Sequence, residues 1–167
     1  EQSPVKSRPE NKVRLPITVN GQIFPSETDR YRFKAYKGQQ IVAVVHARDL
    51  IPYLADAVPG WFQATLTLRD ARGRELAYSD DYRFQPDPVI HFEVPADGEY
   101  VLELKDAIFR GREDFVYRLA IGELPFITGI FPLGGAVGHP VPVQLTGWNL
   151  PQTWATNFSA EQGTLPF

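Results

Sequence analysis

The sequence contains no cysteine and no methionine. The first absence excludes disulfides, thiolate metal sites and cysteine nucleophiles. It does not place the protein inside or outside a cell, because many exported bacterial domains do without disulfides. The second bears on the start of the chain: Glu1-Gln2-Ser3-Pro4 reads as a mature form or a fragment. No apolar run approaches the length needed to cross a bilayer, so membrane insertion is not expected. No basic stripe is present either. The 17 basic and 20 acidic residues are interspersed and leave a net charge of -3, which lacks the electrostatic footprint of a nucleic-acid binder.

What is present is a 167-residue chain with 43% hydrophobic residues, enough for one domain or one domain and part of a second. Eleven Phe, seven Tyr and three Trp lean towards pleated, half-buried structure. The periodicity agrees. Residues 1–12 are polar, carry Pro4 and Pro9, and read as a tail or linker. Val13 to Val19 alternates and is expected to end in a turn at Asn20-Gly21. From Asp29 to Lys37, Tyr31, Phe33 and Ala35 share one face and Arg30, Arg32 and Lys34 the other, with Tyr36 as the exception. The run Ile41-Val42-Ala43-Val44-Val45 is apolar on both faces, as in a central strand.

Residues 48–60 break the period and allow one or two helical turns before Pro59-Gly60. Alternation resumes over Phe62–Leu68, Glu75–Tyr78, Val89–Val94, Tyr100–Lys105 and Phe115–Ile121. About eight short strands at regular turn spacing predict an all-β, antiparallel β-sandwich over 13–122. Gly122-Glu123-Leu124-Pro125 marks a boundary. Residues 123–167 are too few for a whole Ig-like sandwich, so they form a partial second unit or pack on the first.

Several segments carry a resemblance. They are Val19-Asn20-Gly21-Gln22-Ile23, Asp29-Arg30-Tyr31-Arg32-Phe33 with Gly38-Gln39, and Leu66–Gly73. Further on come Ser79-Asp80-Asp81, Pro95–Tyr100 and Tyr117-Arg118-Leu119. In order and spacing, residues 13–122 resemble the bacterial pre-peptidase C-terminal domain. The resemblance implies a jelly-roll-like sandwich, secreted, surface-exposed or periplasmic, appended to proteases or repeated in large extracellular proteins. Some members bind calcium and some collagenase relatives bind collagen. Ile127–Pro132 and Leu145–Leu150 resemble the opening of an Ig-like, TIG-type domain.

Calcium wants six to eight oxygens on pliable loops. The positions that match the ligands of calcium-binding relatives are Glu10, Asn11, Glu27 and Asp29. The segment Ser7–Lys12 departs from that pattern, with one acid and two bases. The alternative is that Glu27 and Asp29 form a solvated turn and a strand cap. Asp80, Asp81 and Asp87 make a second acidic loop that either chelates or serves turn hydrogen bonds. No serine sits in Gly-x-Ser-x-Gly, and His46, His91 and His139 are far apart in the sequence and form no His-Glu-x-x-His. A pair such as Glu93 and Glu103 facing across strands is the remaining catalytic option.

Tyr53, Trp61, Tyr82, Phe84 and Phe109 fall in or beside loops and suit a sugar or peptide surface, or tuck over the ends of the sandwich. Arg110 and Arg112 add two guanidiniums able to grip carboxylates or sulfates. The expectation is therefore a non-catalytic accessory module. It would work beside other domains of the same polypeptide and bind a polysaccharide or an extracellular protein weakly. The alternatives are a structural spacer, with or without calcium, and a hydrolase. No cofactor beyond calcium is expected.

Overall fold

The computed structural model describes residues 10–51, 61–136, 139–151 and 156–159. They form an all-β protein in two compact units, 1–123 and 124–167. The first unit is an antiparallel sandwich. One sheet has five strands in the order β1-β3-β8-β5-β6. These are Asn11–Lys12, Asp29–Ala35, Gly98–Asp106, Ala64–Asp70 and Glu75–Ser79. The other has four in the order β2-β9-β4-β7. These are Ile17–Gln22, Val116–Gly122, Gln40–His46 and Val89–Glu93. Among the described residues of the first unit, only the short β1 departs from antiparallel pairing, lying parallel to β3.

The alternation read from the sequence explains the packing. Tyr31, Phe33 and Ala35 of β3 point inward with Leu102 and Leu104 of β8, and Leu66 and Leu68 of β5. Ile41, Ala43 and Val45 of β4, with Tyr117, Leu119 and Ile121 of β9, close the core from the other sheet. β4 is central, between β9 and β7, as its two-faced apolar run predicts. Phe62 stacks on Phe115 at 5.1 Å and tilts against Tyr117 at one end of the core.

Two local readings change. Asn20-Gly21 is not a turn: both lie within β2, paired with Arg118 and Tyr117 of β9. Glycine is required there for a different reason. The Tyr117 ring and hydroxyl occupy the space a Cβ would fill. In 48–60 the described part holds a single 3-10 turn, Arg48–Leu50; residues 52–60, with Tyr53, lie outside the described residues.

The second unit is a three-stranded sheet, β10-β11-β12, formed by Phe126–Phe131, Pro140–Trp148 and Thr156–Ser159. Phe126 stacks on Trp148 at 5.3 Å, and Asn149 holds the Leu124 carbonyl through its side-chain amide.

Candidate binding groove and the buried acids

β6 leads into a tight loop. Tyr82 and Gln85 exchange backbone hydrogen bonds of 2.9 and 3.0 Å, and Ser79 Oγ donates to the Asp81 carbonyl at 2.6 Å. Arg83, at the tip, sits in the left-handed region with φ 59°. This closure pushes Phe84 fully into solvent, at 102% relative exposure. The loop is anchored at its far end by Asp87, which is 7% exposed. Its carboxylate accepts the backbone N–H groups of Ala47, Arg48 and Asp49 at 2.9, 2.8 and 3.2 Å. A buried carboxylate is tolerable when its oxygens are filled by donors in this way.

Trp61 is fixed from two sides. The Arg48 guanidinium lies over its ring at 4.4 Å, and its carbonyl accepts Arg110 Nη2 at 3.1 Å. The outcome is an open groove of about 300 Å³ that brings Trp61 and Phe84 together with Asp80, Asp81, Gln63 and Arg83. Two rings beside two carboxylates and a side-chain amide can cover an apolar face and hydrogen-bond its polar rim.

The other proposed contacts are spent internally. Arg110 donates Nε and Nη2 to Asp106 at 3.1 and 3.0 Å. Asp106 is fully buried and also accepts the backbone N–H groups of Gln63, Ile108 and Arg110. Arg112 is locked to Asp114 by two 3.0 Å bonds and covers the Phe115 ring at 5.0 Å. Neither guanidinium is presented as a ligand grip, because the loop after β8 needs both. Phe109 is 48% exposed but carries the Lys105 ammonium on its ring at 4.0 Å. Tyr82 is half-buried under Arg83 at 5.3 Å. Neither lines the groove.

The carboxylates matched to calcium ligands do not come together as a set. Glu10 Oε2 accepts Arg32 Nε at 2.6 Å, and that hydrogen bond holds its carboxyl below the usual range. Glu27 Oε2 accepts the Phe24 N–H at 3.0 Å. Asn11 is exposed in β1, paired with Tyr31. Asp29 is neither solvated nor a loop residue: it is 2% exposed, on the inward face of β3, and accepts the Tyr117 hydroxyl. Tyr117 in turn meets the Tyr31 hydroxyl at 2.5 Å. Burial, then the bonds to Asp29 and Tyr31, push the Tyr117 phenol well above its ordinary value of 10.0.

Among the described residues, the group of metal-type donors that does converge is His46, Asp49 and Asp87, within 4.8 Å of one another. His46 Nδ1 to Asp49 Oδ2 is a 3.0 Å hydrogen bond, and Asp87 is occupied by its three N–H groups. Hydrogen bonding accounts for this cluster without an ion. Glu93 and Glu103 belong to different sheets, and Glu103 is held between Arg30 at 2.7 Å and Arg69 at 2.8 Å. They do not form a facing pair across neighbouring strands.

Sequence reasoning missed Asp106, Asp87 as a buried anchor, and Arg48. The signal for Asp106 was present. An aspartate that closes a strand before a short loop is placed to collect that loop's N–H groups.

The fold is an antiparallel β-sandwich that carries an aromatic groove beside its β6 loop. An 80-residue stretch, 48% of this chain, is 44% identical to part of a probable subtilase-type serine protease of Deinococcus radiodurans. That stretch spans 10% of the protease's length. A solved pre-peptidase C-terminal domain of collagenase from Bacillus anthracis is 17% identical, with a TM-score of 0.48. The match covers 72% of this chain and 99% of that one. A periplasmic inhibitor of g-type lysozyme from Salmonella Typhimurium is 18% identical, over 68% of this chain and 98% of its own, with a TM-score of 0.44. Likeness at this level says nothing of what the chain binds. No family model matches.

Proposed function

We propose that this chain is a non-catalytic accessory module of a larger exported bacterial protein, such as a protease, and that it holds a polymer or protein surface weakly. The 44% identity to a segment of a subtilase-type protease supports the setting. The observation that carries the binding role is the pairing of Trp61 with the fully exposed Phe84 over one acidic, amide-bearing groove. A solvent-exposed ring held by a closed loop gives contact area at little entropic cost. The same setting supports an extracellular, cell-surface or periplasmic location.

Retention on insoluble polymers tests the reading. The whole chain is incubated with chitin, cellulose, peptidoglycan and fibrillar collagen, and the protein left in solution is measured. Binding to one of them that Phe84→Ala removes supports the groove. Retention that Phe84→Ala leaves unchanged takes the groove out of the binding, and retention of neither protein on any polymer argues for a spacer.

A further inference from the structure

A second surface of the sandwich lies at the edge of β3. β1 pairs with β3 only at Asn11↔Tyr31 and Lys12↔Arg32, with a last bond from the Val13 N–H to the Arg32 carbonyl at 2.9 Å. The chain then leaves for β2 in the other sheet. Because backbone groups alternate sides along a strand, the N–H and C=O of Lys34 point the same way as those of Arg32. They have no backbone partner among the described residues.

The departing segment and this edge enclose an open groove of about 510 Å³. Lys12, Arg14, Arg32 and Lys34 line it, together with Phe33 and with Tyr36, which is 61% exposed. The one acid that lines it, Glu99, and the nearby Glu10 are spoken for. Glu10 and Glu99 both bind Arg32, at 2.6 and 3.3 Å. Lys12, Arg14 and Lys34 have no ion pair among the described residues.

We propose that this groove takes an extended, carboxylate-rich protein segment that adds alongside β3 at Lys34. Cations at alternate residues, roughly 6.6 Å apart, match acidic side chains at alternate positions of an extended strand. The unpaired Lys34 edge supplies the backbone bonds of strand addition. The same cations repel a second copy of this edge, which opposes self-pairing. With one residue of open edge, charge supplies most of the affinity, so binding falls as salt rises.

The test is fluorescence anisotropy of the whole chain with a labelled ten-residue peptide of alternating Glu and Val. Saturable binding is expected, weakened about tenfold or more in the Lys12→Glu/Lys34→Glu variant. The same peptide N-methylated on alternate residues keeps its charge and is expected to bind measurably more weakly than the unmethylated peptide, yet more tightly than a Lys-for-Glu peptide. Protection of the Lys34 amide from hydrogen exchange by the unmethylated peptide is the second readout. Unchanged thermal unfolding of the variant shows that the fold is intact. Equal binding of methylated and unmethylated peptides would overturn the strand addition. Tighter binding of a sulfated oligosaccharide would assign the groove to a polysaccharide. No binding to any of these would leave the lysines as edge protection only, and would also overturn the proposal.

Discussion

Buried acids and their donors show most clearly what single residues contribute. Asp106 collects three N–H groups and a two-point guanidinium with no exposure to water. Asp106→Ala strands those donors and is expected to lower stability by about 3 kcal/mol, measured by urea unfolding. The Tyr117–Asp29 bond is expected to yield about 1–3 kcal/mol in Tyr117→Phe. Tyr117 also sets an alkaline limit. Its phenol is raised in the fold, so the folded state keeps a proton that the unfolded chain releases near its ordinary value of 10.0. Its contribution is complete below that pH and is lost as pH rises above it. The unfolding free energy of wild type should fall above pH 10, and that of Tyr117→Phe should fall less. Burial alone would raise Glu103, but the hydrogen bonds from Arg69 and Arg30 outweigh it and hold the carboxyl low. At residue scale the sequence was a poor guide. Spacing marks Asp29, Asp87 and Asp106 as acids, but only the fold says which backbone donors reach them.

Along the strands the sequence was legible, because burial repeats every second residue. Tyr31, Phe33 and Ala35 were readable as one face, and Ile41 to Val45 as a central strand, from alternation alone. Asn20-Gly21 misled because the dipeptide serves two purposes. It offers positive φ in turns, and it offers an absent side chain where a ring crosses the backbone. Here the second applies. Gly21→Ala places a methyl into Tyr117 and is expected to cost about 2 kcal/mol, read from the denaturation midpoint. A turn at this position would have tolerated alanine with a smaller loss. The arginines of the loop after β8 misled in the same manner. Arg110 and Arg112 look like a ligand grip in sequence, yet Asp106 and Asp114 lie four and two residues away and claim them.

Over the whole molecule, the packed sandwich is distinct from the surfaces it presents. The carboxylates expected to hold calcium are engaged with Arg32, the Phe24 N–H and Tyr117. Glu27→Ala is therefore expected to shift the thermal midpoint equally in chelator and in millimolar calcium. A calcium-dependent rise that this variant abolishes would restore the metal-stiffened spacer. The candidate groove was half legible: Trp61 and Phe84 were recognisable as loop aromatics, but Tyr82 and Phe109 looked the same in sequence. What separates them is the closure of 82–85, which turns Phe84 outward.

The most direct test is a calorimetric titration with a soluble fragment of whichever polymer retains the chain, comparing wild type with Phe84→Ala. A dissociation constant raised about tenfold is expected, since one exposed aromatic contact is of order 1.4 kcal/mol, with thermal unfolding unchanged. An identical constant in the two proteins would contradict it.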